Sequence, residues 1–326
     1  MAALALTKDI MKPSYRQFDV TVAGIRPLSP NFTRVTFTGP ELHEWGWYGA
    51  DQRIKVVLPG EIWRTYTIRA ARAAEREVDV DFVTHGLTGP ATRWLHGAAI
   101  GDALALIGPD ATSGAEPDGY VWRPGAARTL LLAADETAVP AVATILEGLP
   151  ADATGHVFLE VPSPGDALPL TAPAGVAITW LPRGTDAGHA DAGNSDAGHA
   201  GATNGSEPLP FGGALVPAVT AWVDAWAESC AQAAPAGERA PEEPAQEAGP
   251  DAEYEILWEV PDEQEGPDEQ DGPAVPERPA SAELYAWLAG EAGAITGLRR
   301  HLVRERGVDR KQVAFMGYWK LGRSEN

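Results

Sequence analysis

The sequence predicts a β + α/β protein, with an N-terminal antiparallel β-barrel followed by a doubly wound parallel-sheet domain. Three observations carry this. At 326 residues the chain is too long for one small core and suits two domains. Up to about residue 107 it offers short alternating segments, broken by Gly, Pro and Asn, with no long helix between them. After a Gly-, Pro- and Asp-rich linker at 108–125, strands begin to alternate with helices, the pattern of an open parallel sheet.

In the first part, residues 15–22 alternate loosely and 32–38 more clearly, as half-buried strands do. Segments 54–58, 64–69, 78–83 and 103–107 add four more short strands, and 89–96 holds the one helix. In the second part, Arg128 to Ala133 is an apolar strand, and Asp135-Glu136-Thr137 supplies capping residues for a helix from about Ala138 to Leu149. Strands at 156–161, 176–181 and 284–289 and helices at 212–227 and 292–306 follow. The division predicted is 1–122 and 123–326, with low-complexity inserts at about 184–207 and 231–280. Residues 186–200 are a five-residue repeat with almost nothing to bury. His189 and His199 within it make a poor metal site, and the composition predicts a loop without structure of its own. Inside the second insert, Tyr254 to Val260 alternates like a strand and is expected to pair with the strand at 284–289.

Composition narrows the function classes. Net charge is −21, which argues against nucleic acid as a partner. Fifteen Asp or Glu against one Arg fall in residues 238–277, so two thirds of that charge belongs to an insert and says little about a ligand site. A single cysteine, Cys230, excludes disulfide frameworks, Cys-ligated zinc and iron–sulfur clusters, and no metal site is expected. Redox chemistry would have to come from a bound organic cofactor. No run reads as a signal peptide or a bilayer span, so the expectation is a cytoplasmic protein without membrane insertion, and a monomer.

The candidate ligand site is Arg64-Thr65-Tyr66-Thr67-Ile68-Arg69, followed about twenty residues on by the glycine-bracketed turn His85-Gly86-Leu87-Thr88-Gly89-Pro90-Ala91-Thr92. A diphosphate with a flat aromatic head needs such parts. Arginine grips phosphate with a planar fork, and a Gly-rich turn lets backbone N–H groups approach an anion. Tyrosine offers a stacking face, and a threonine hydroxyl hydrogen-bonds a ring edge. Alone, Arg-x-Tyr-Thr fits an ordinary hairpin with surface arginines better than a ligand site; the second stretch reverses that balance. No Gly-x-Gly-x-x-Gly follows the first strand of the second part, so the usual dinucleotide fingerprint is absent. Asp135-Glu136-Thr137 nevertheless sits at the carboxyl end of that strand, where open sheets bind ligands.

With Asp51-Gln52-Arg53-Ile54-Lys55, Asp81 to Gly86, Gly101-Asp102, Ala134 to Ala141, Trp287 to Glu291 and Gly317-Tyr318-Trp319 in the same order, the chain resembles the siderophore-interacting proteins. These are flavin reductases of the ferredoxin–NADP reductase superfamily. The resemblance implies FAD on the barrel, with NADH or NADPH on the second domain and ferredoxin as another possible donor. It implies Arg64 at the FAD pyrophosphate, Tyr66 against the isoalloxazine and Thr67 near its reactive nitrogen, with Thr65 between them. His85, Gly86, Gly89, Ala91 and Thr92 would cradle the phosphates and sugar. Trp319 would sit at the flavin, Asp135 and Thr137 at the pyridine nucleotide, and Gly290-Glu291 beside the nicotinamide. Lys55 and Arg183 would dock a ferric siderophore. Arg53 stands where the family's pattern has histidine, and Lys320 where arginine is frequent. The activity implied is ferric-siderophore reduction with release of Fe(II), needing no catalytic side chain of the protein's own. A general flavin or ferric reductase, and a flavoprotein that binds the chelate without nicotinamide turnover, stay open beside it.

Overall fold

The computed structural model describes residues 13–84, 89–115, 119–185, 207–233, 258–259 and 284–322. Its first half is a closed antiparallel barrel of six strands: β1 (Tyr15–Pro27), β2 (Phe32–Thr38), β3 (Arg53–Leu58), β4 (Ile62–Arg72), β5 (Glu77–Val83), then helix α1 (Pro90–Gly97) and β6 (Ala103–Pro109). The barrel order is β1-β2-β5-β4-β3-β6. Alternation drives it: Phe18, Val20 and Val22, then Val35 and Phe37, then Ile54, Val56 and Leu58 all turn into one buried interior. Closing the sheet leaves no open edge.

The second half begins with β7 (Thr129–Ala134), α2 (Val139–Gly148), β8 (Thr154–Val161) and β9 (Gly175–Pro182). It continues with α3 (Leu215–Ala233), β10 (Trp258–Glu259), β11 (Leu284–Glu291), α4 (Ala292–Arg300) and β12 (Val313–Trp319). The sheet order is β10-β12-β11-β7-β8-β9, parallel from β12 to β9. From β7 the chain runs outward through β8 and β9, then returns to build β11 and β12 on the other side. The order therefore reverses between β7 and β11, the point at which such sheets open a ligand crevice. Successive residues of β7 feed opposite faces: Leu130, Leu132 and Ala134 pack with α2, and Leu131 and Ala133 with α3 and α4. Helices cover both faces, as the doubly wound expectation requires.

Three local expectations are corrected. Trp258–Glu259 pairs antiparallel with β12 at Met316 and Phe315, not with the strand at 284–289. The strand β12 was not anticipated at all. The helix expected to 306 is α-helical only to Arg300 and continues as a π turn over His301–Glu305. The repeat at 186–200 and the acidic stretch 260–280 lie outside the described residues.

Buried carboxylates join the two halves. Asp51, at the start of β3, accepts from the backbone N–H groups of Val121 and Trp122 and from Trp287 Nε1 at 3.0 Å. Asp166 accepts from Ser29 Oγ, Asn31 N and Asn31 Nδ2 at 2.7–2.9 Å. Burial alone would raise the Asp166 pKa, but the bonds from Asn31, Ser29 and Ser163 outweigh it and hold it below the usual range. Phe32 of β2 lies in the same apolar cluster as α2.

Candidate cofactor and substrate cleft

A cleft of about 460 Å³ lies between strand β4 of the barrel and the carboxyl ends of β7 and β12. It brings together Arg64, Thr65, Tyr66 and Thr67 from β4, Gly89 and Thr92 from the start of α1, Thr137 from the turn after β7, and Trp319 from the end of β12. Arg53, Asp81, Phe211 and Tyr318 also line it, and sequence reasoning did not name them as site residues. His85 and Gly86 lie outside the described residues. Ala91 is buried against the barrel core and does not line the cleft.

On the barrel side, β3 and β4 pair so that Arg53 faces Thr67, Lys55 faces Thr65 and Val57 faces Trp63. Thr67 is buried, with its hydroxyl 3.4 Å from the Tyr318 hydroxyl. Burial holds that phenol's pKa well above its ordinary value, so Tyr318 enters the site as a neutral hydroxyl. Tyr66 packs on Phe82 at 4.5 Å between ring centroids. The Arg64 guanidinium donates to its neighbour's carbonyl, Trp63 O. Arg69 is committed elsewhere: it pairs with Glu147 of α2 across the domain junction.

On the sheet side Asp135 is a hub rather than an open ligand group. It caps the turn after β7, accepting from Thr137 N at 2.9 Å and from the Thr137 hydroxyl on one oxygen. Its other oxygen accepts from Glu291 N and Trp319 Nε1, both at 2.8 Å. Burial and the neighbouring Glu136 charge push its pKa up to about 6. These four donors engage Asp135, expected at the nucleotide, within the protein. Gly290 allows the packing, because a Cβ there would lie 2.7 Å from the Asp135 carboxyl. Glu291 caps α4 through Ala294 N at 2.9 Å, so it too has a structural task.

Arg183, expected to dock a chelate, is likewise engaged within the protein. It is buried, with its guanidinium bonded to both oxygens of Glu136 and to Glu160. Burial would lower its pKa, yet the two carboxylates outweigh this and hold it above the ordinary value. It stacks over Phe211 at 4.2 Å, and Phe211 meets Trp319 edge-on at 4.5 Å. Arg183 thus backs the cleft's aromatic wall and presents no cation to a chelate. Lys55 is different: exposed on β3, its amine donates to the neutral Thr65 hydroxyl at 2.5 Å.

The donor set fits FAD. The cleft offers a guanidinium and a helix start for a diphosphate, aromatic surfaces for a ring system, and hydroxyls for its polar edge.

Comparison with known proteins agrees with this geometry. A family model described as "Siderophore-interacting protein" matches residues 127–204 and 214–322. One described as "Siderophore-interacting FAD-binding domain" matches 21–62 and 60–113. The ferric vibriobactin reductase ViuB of Vibrio cholerae is 35% identical over 182 residues, 48% of this chain and 63% of that one. The first curated relatives are matched over only 40–63% of their own length. The solved structure of a siderophore utilization protein from T. fusca aligns with a TM-score of 0.63 at 25% identity, covering 96% of this chain and 95% of that chain. The ferredoxin reductase of carbazole 1,9a-dioxygenase shares the fold at 14% identity and a TM-score of 0.55, over 94% of this chain and 70% of that one. With family models covering both halves, this chain belongs to the siderophore-interacting protein family.

Proposed function

We propose that this protein is an FAD-dependent reductase of ferric siderophores supplied with electrons by NADH or NADPH. The observation that carries the reading is the meeting of Arg64, Tyr66 and Thr67 with Thr137 and Trp319 in one cleft at the carboxyl end of the parallel sheet. Family membership and relatives named as ferric-siderophore reductases support the substrate. On this reading residues 1–122 hold the flavin and 123–326 the pyridine nucleotide.

Arg64 and the backbone at Gly89 and Thr92 would hold the diphosphate of FAD, with Tyr66 against its ring system and Thr67 at its polar edge. Bound there, FAD supplies hydride acceptance from a nicotinamide and single-electron delivery to Fe(III), which as Fe(II) is held less tightly by hard oxygen donors. The protein's own residues bind, orient and exclude water. Trp319, fixed by Asp135 and wedged by Phe211, walls the cleft on the sheet side. Thr137 lines the cleft and would meet the pyridine nucleotide there, while its own N–H and hydroxyl donate to Asp135 and hold the shape of the turn. Lys55, at the rim, meets the anionic chelate.

The test is anaerobic stopped-flow mixing of purified yellow protein with NADH or NADPH, followed by a ferric siderophore and an Fe(II) trap. Bleaching at the flavin band and stoichiometric trapping of Fe(II) are expected. Flavin that bleaches while no Fe(II) appears would sink the reductase reading.

A further inference from the structure

Trp63 is the exception among the large apolar side chains of β4. It is 51% exposed on the outside of the closed barrel. Its position is set by the strand register. Trp63 lies opposite Val57, and two pairs further along Lys55 lies opposite Thr65. A period of two puts Trp63, Thr65, Val57 and Lys55 on one face, with Trp63 and Lys55 as diagonal neighbours roughly 7–8 Å apart. Thr65 belongs at once to this face and to the cleft lining, and it accepts the Lys55 amine. Among the described residues Lys55 has no carboxylate partner. The face is therefore an apolar ring and a cation, continuous with the cleft, on a chain whose net charge is −21.

We infer that Trp63 and Lys55 form a docking platform for iron chelates with anionic aryl donors, catecholates or phenolates, and that Trp63 selects them over aliphatic hydroxamates. The inference rests on the reductase reading for its metal cargo and adds the class of chelate and the residue that chooses it. An aryl ring laid on the indole gains stacking that an aliphatic hydroxamate cannot match. The same ring carries its oxygen charge toward the Lys55 amine, and a ring cation–anion pair at this spacing needs both residues on one face. Trp63 meets the proposed flavin site through its backbone carbonyl, which accepts the Arg64 guanidinium, and a side-chain substitution keeps that carbonyl in place.

Gallium(III) complexes of a tris-catechol ligand and of a linear aliphatic trihydroxamate bind as the iron forms do and are not reduced. They are titrated by calorimetry into the flavin-loaded wild type, Trp63→Ala and Trp63→Phe, with flavin content checked by absorbance. The expected result is about tenfold weaker binding of the catecholate complex to Trp63→Ala. The trihydroxamate complex should stay within twofold, and Trp63→Phe should recover most of the loss. No catecholate binding by wild type, an unchanged affinity in Trp63→Ala, or an equal loss on both complexes overturns the platform. The ferric forms are then assayed for Fe(II) release. Trp63-dependent gallium binding without any Fe(II) release upholds the platform and overturns the reductase reading instead.

Discussion

Replacing Arg183 by alanine separates two accounts of that residue. As a docking cation it would leave the fold alone and raise the KM for a chelate. As the structure has it, Arg183 neutralises Glu136 and Glu160, both fully buried. Breaking a buried pair from one side costs about 3–5 kcal/mol, because the remaining charge has no compensation. Glu160 keeps three backbone donors, Gly212 N, Ala214 N and Leu215 N at 2.8–2.9 Å, while Glu136 loses both guanidinium bonds. The loss therefore falls near the lower end, about 3 kcal/mol. Glu136 also fixes its pH dependence. Burial already pushes its pKa above the glutamate value of 4.5, and Arg183 is the chief influence opposing that. A carboxyl whose folded pKa exceeds its unfolded one takes up a proton on folding. The variant should thus regain stability as pH falls through the folded value toward 4.5. Urea unfolding at pH 8 and pH 5.5 measures both effects. A variant within about 0.5 kcal/mol of wild type at both pH values, but with a raised chelate KM, would show that the guanidinium faces substrate.

Three further outcomes are expected. Arg64→Ala should lose FAD on gel filtration, whereas Arg69→Ala should keep it and lose about 1 kcal/mol of stability, since Arg69 spans to the half-exposed Glu147; equal flavin loss in both would misplace the phosphate site. Asp135, with a pKa near 6 against an ordinary 3.8, takes up a proton on folding, so its ionisation costs up to about 3 kcal/mol above pH 6, regained as pH falls toward 4. The fluorescence difference between wild type and Trp319→Phe should therefore titrate near pH 6, and a flat difference from pH 4.5 to 8 refutes the link from Asp135 to the Trp319 indole. Replacing 186–205 and 261–280 by short Gly/Ser linkers should leave flavin content and Fe(II) release unchanged, because loop closure entropy varies slowly with length; a large, salt-sensitive change in kcat/KM for an anionic chelate would give those segments a role.

Most of the barrel was legible because a half-buried strand writes its period into the sequence, as Phe32 to Thr38 does. The run Arg64 to Thr67 was legible for the same reason: one strand carries the whole motif. The rest of the site depends on contacts between distant positions. Asp135 looks like a helix cap from sequence and is one, but its bond to Trp319 spans 184 residues. Arg183 follows a strand like any surface arginine, and nothing local reveals that Glu136 and Glu160 converge on it. Phe211 sits in a Pro- and Gly-rich loop without periodicity, so its place in the cleft wall left no signal. Strand β12 was missed because Val313-Ala314-Phe315-Met316 is a short run buried on both sides, which reads as readily as helix. The island at Trp258 was placed on the wrong neighbour because alternation marks a strand and carries no information about its partner.

The carboxylates of Asp51 and Asp166 have a consequence for how the molecule comes apart. Asp51 belongs to the barrel but takes its donors from Val121, Trp122 and Trp287, and Asp166 reaches the other way to Ser29 and Asn31. Severed near residue 122, the second fragment would carry Asp166 without its Ser29 and Asn31 donors and Trp287 Nε1 without its acceptor, and the barrel fragment would expose Phe32 to water. Neither half is a transplantable module. Melting should be a single cooperative event, and a chimera that swaps barrels between relatives must carry the Asn31 and Asp51 neighbourhoods together with their partners across the seam.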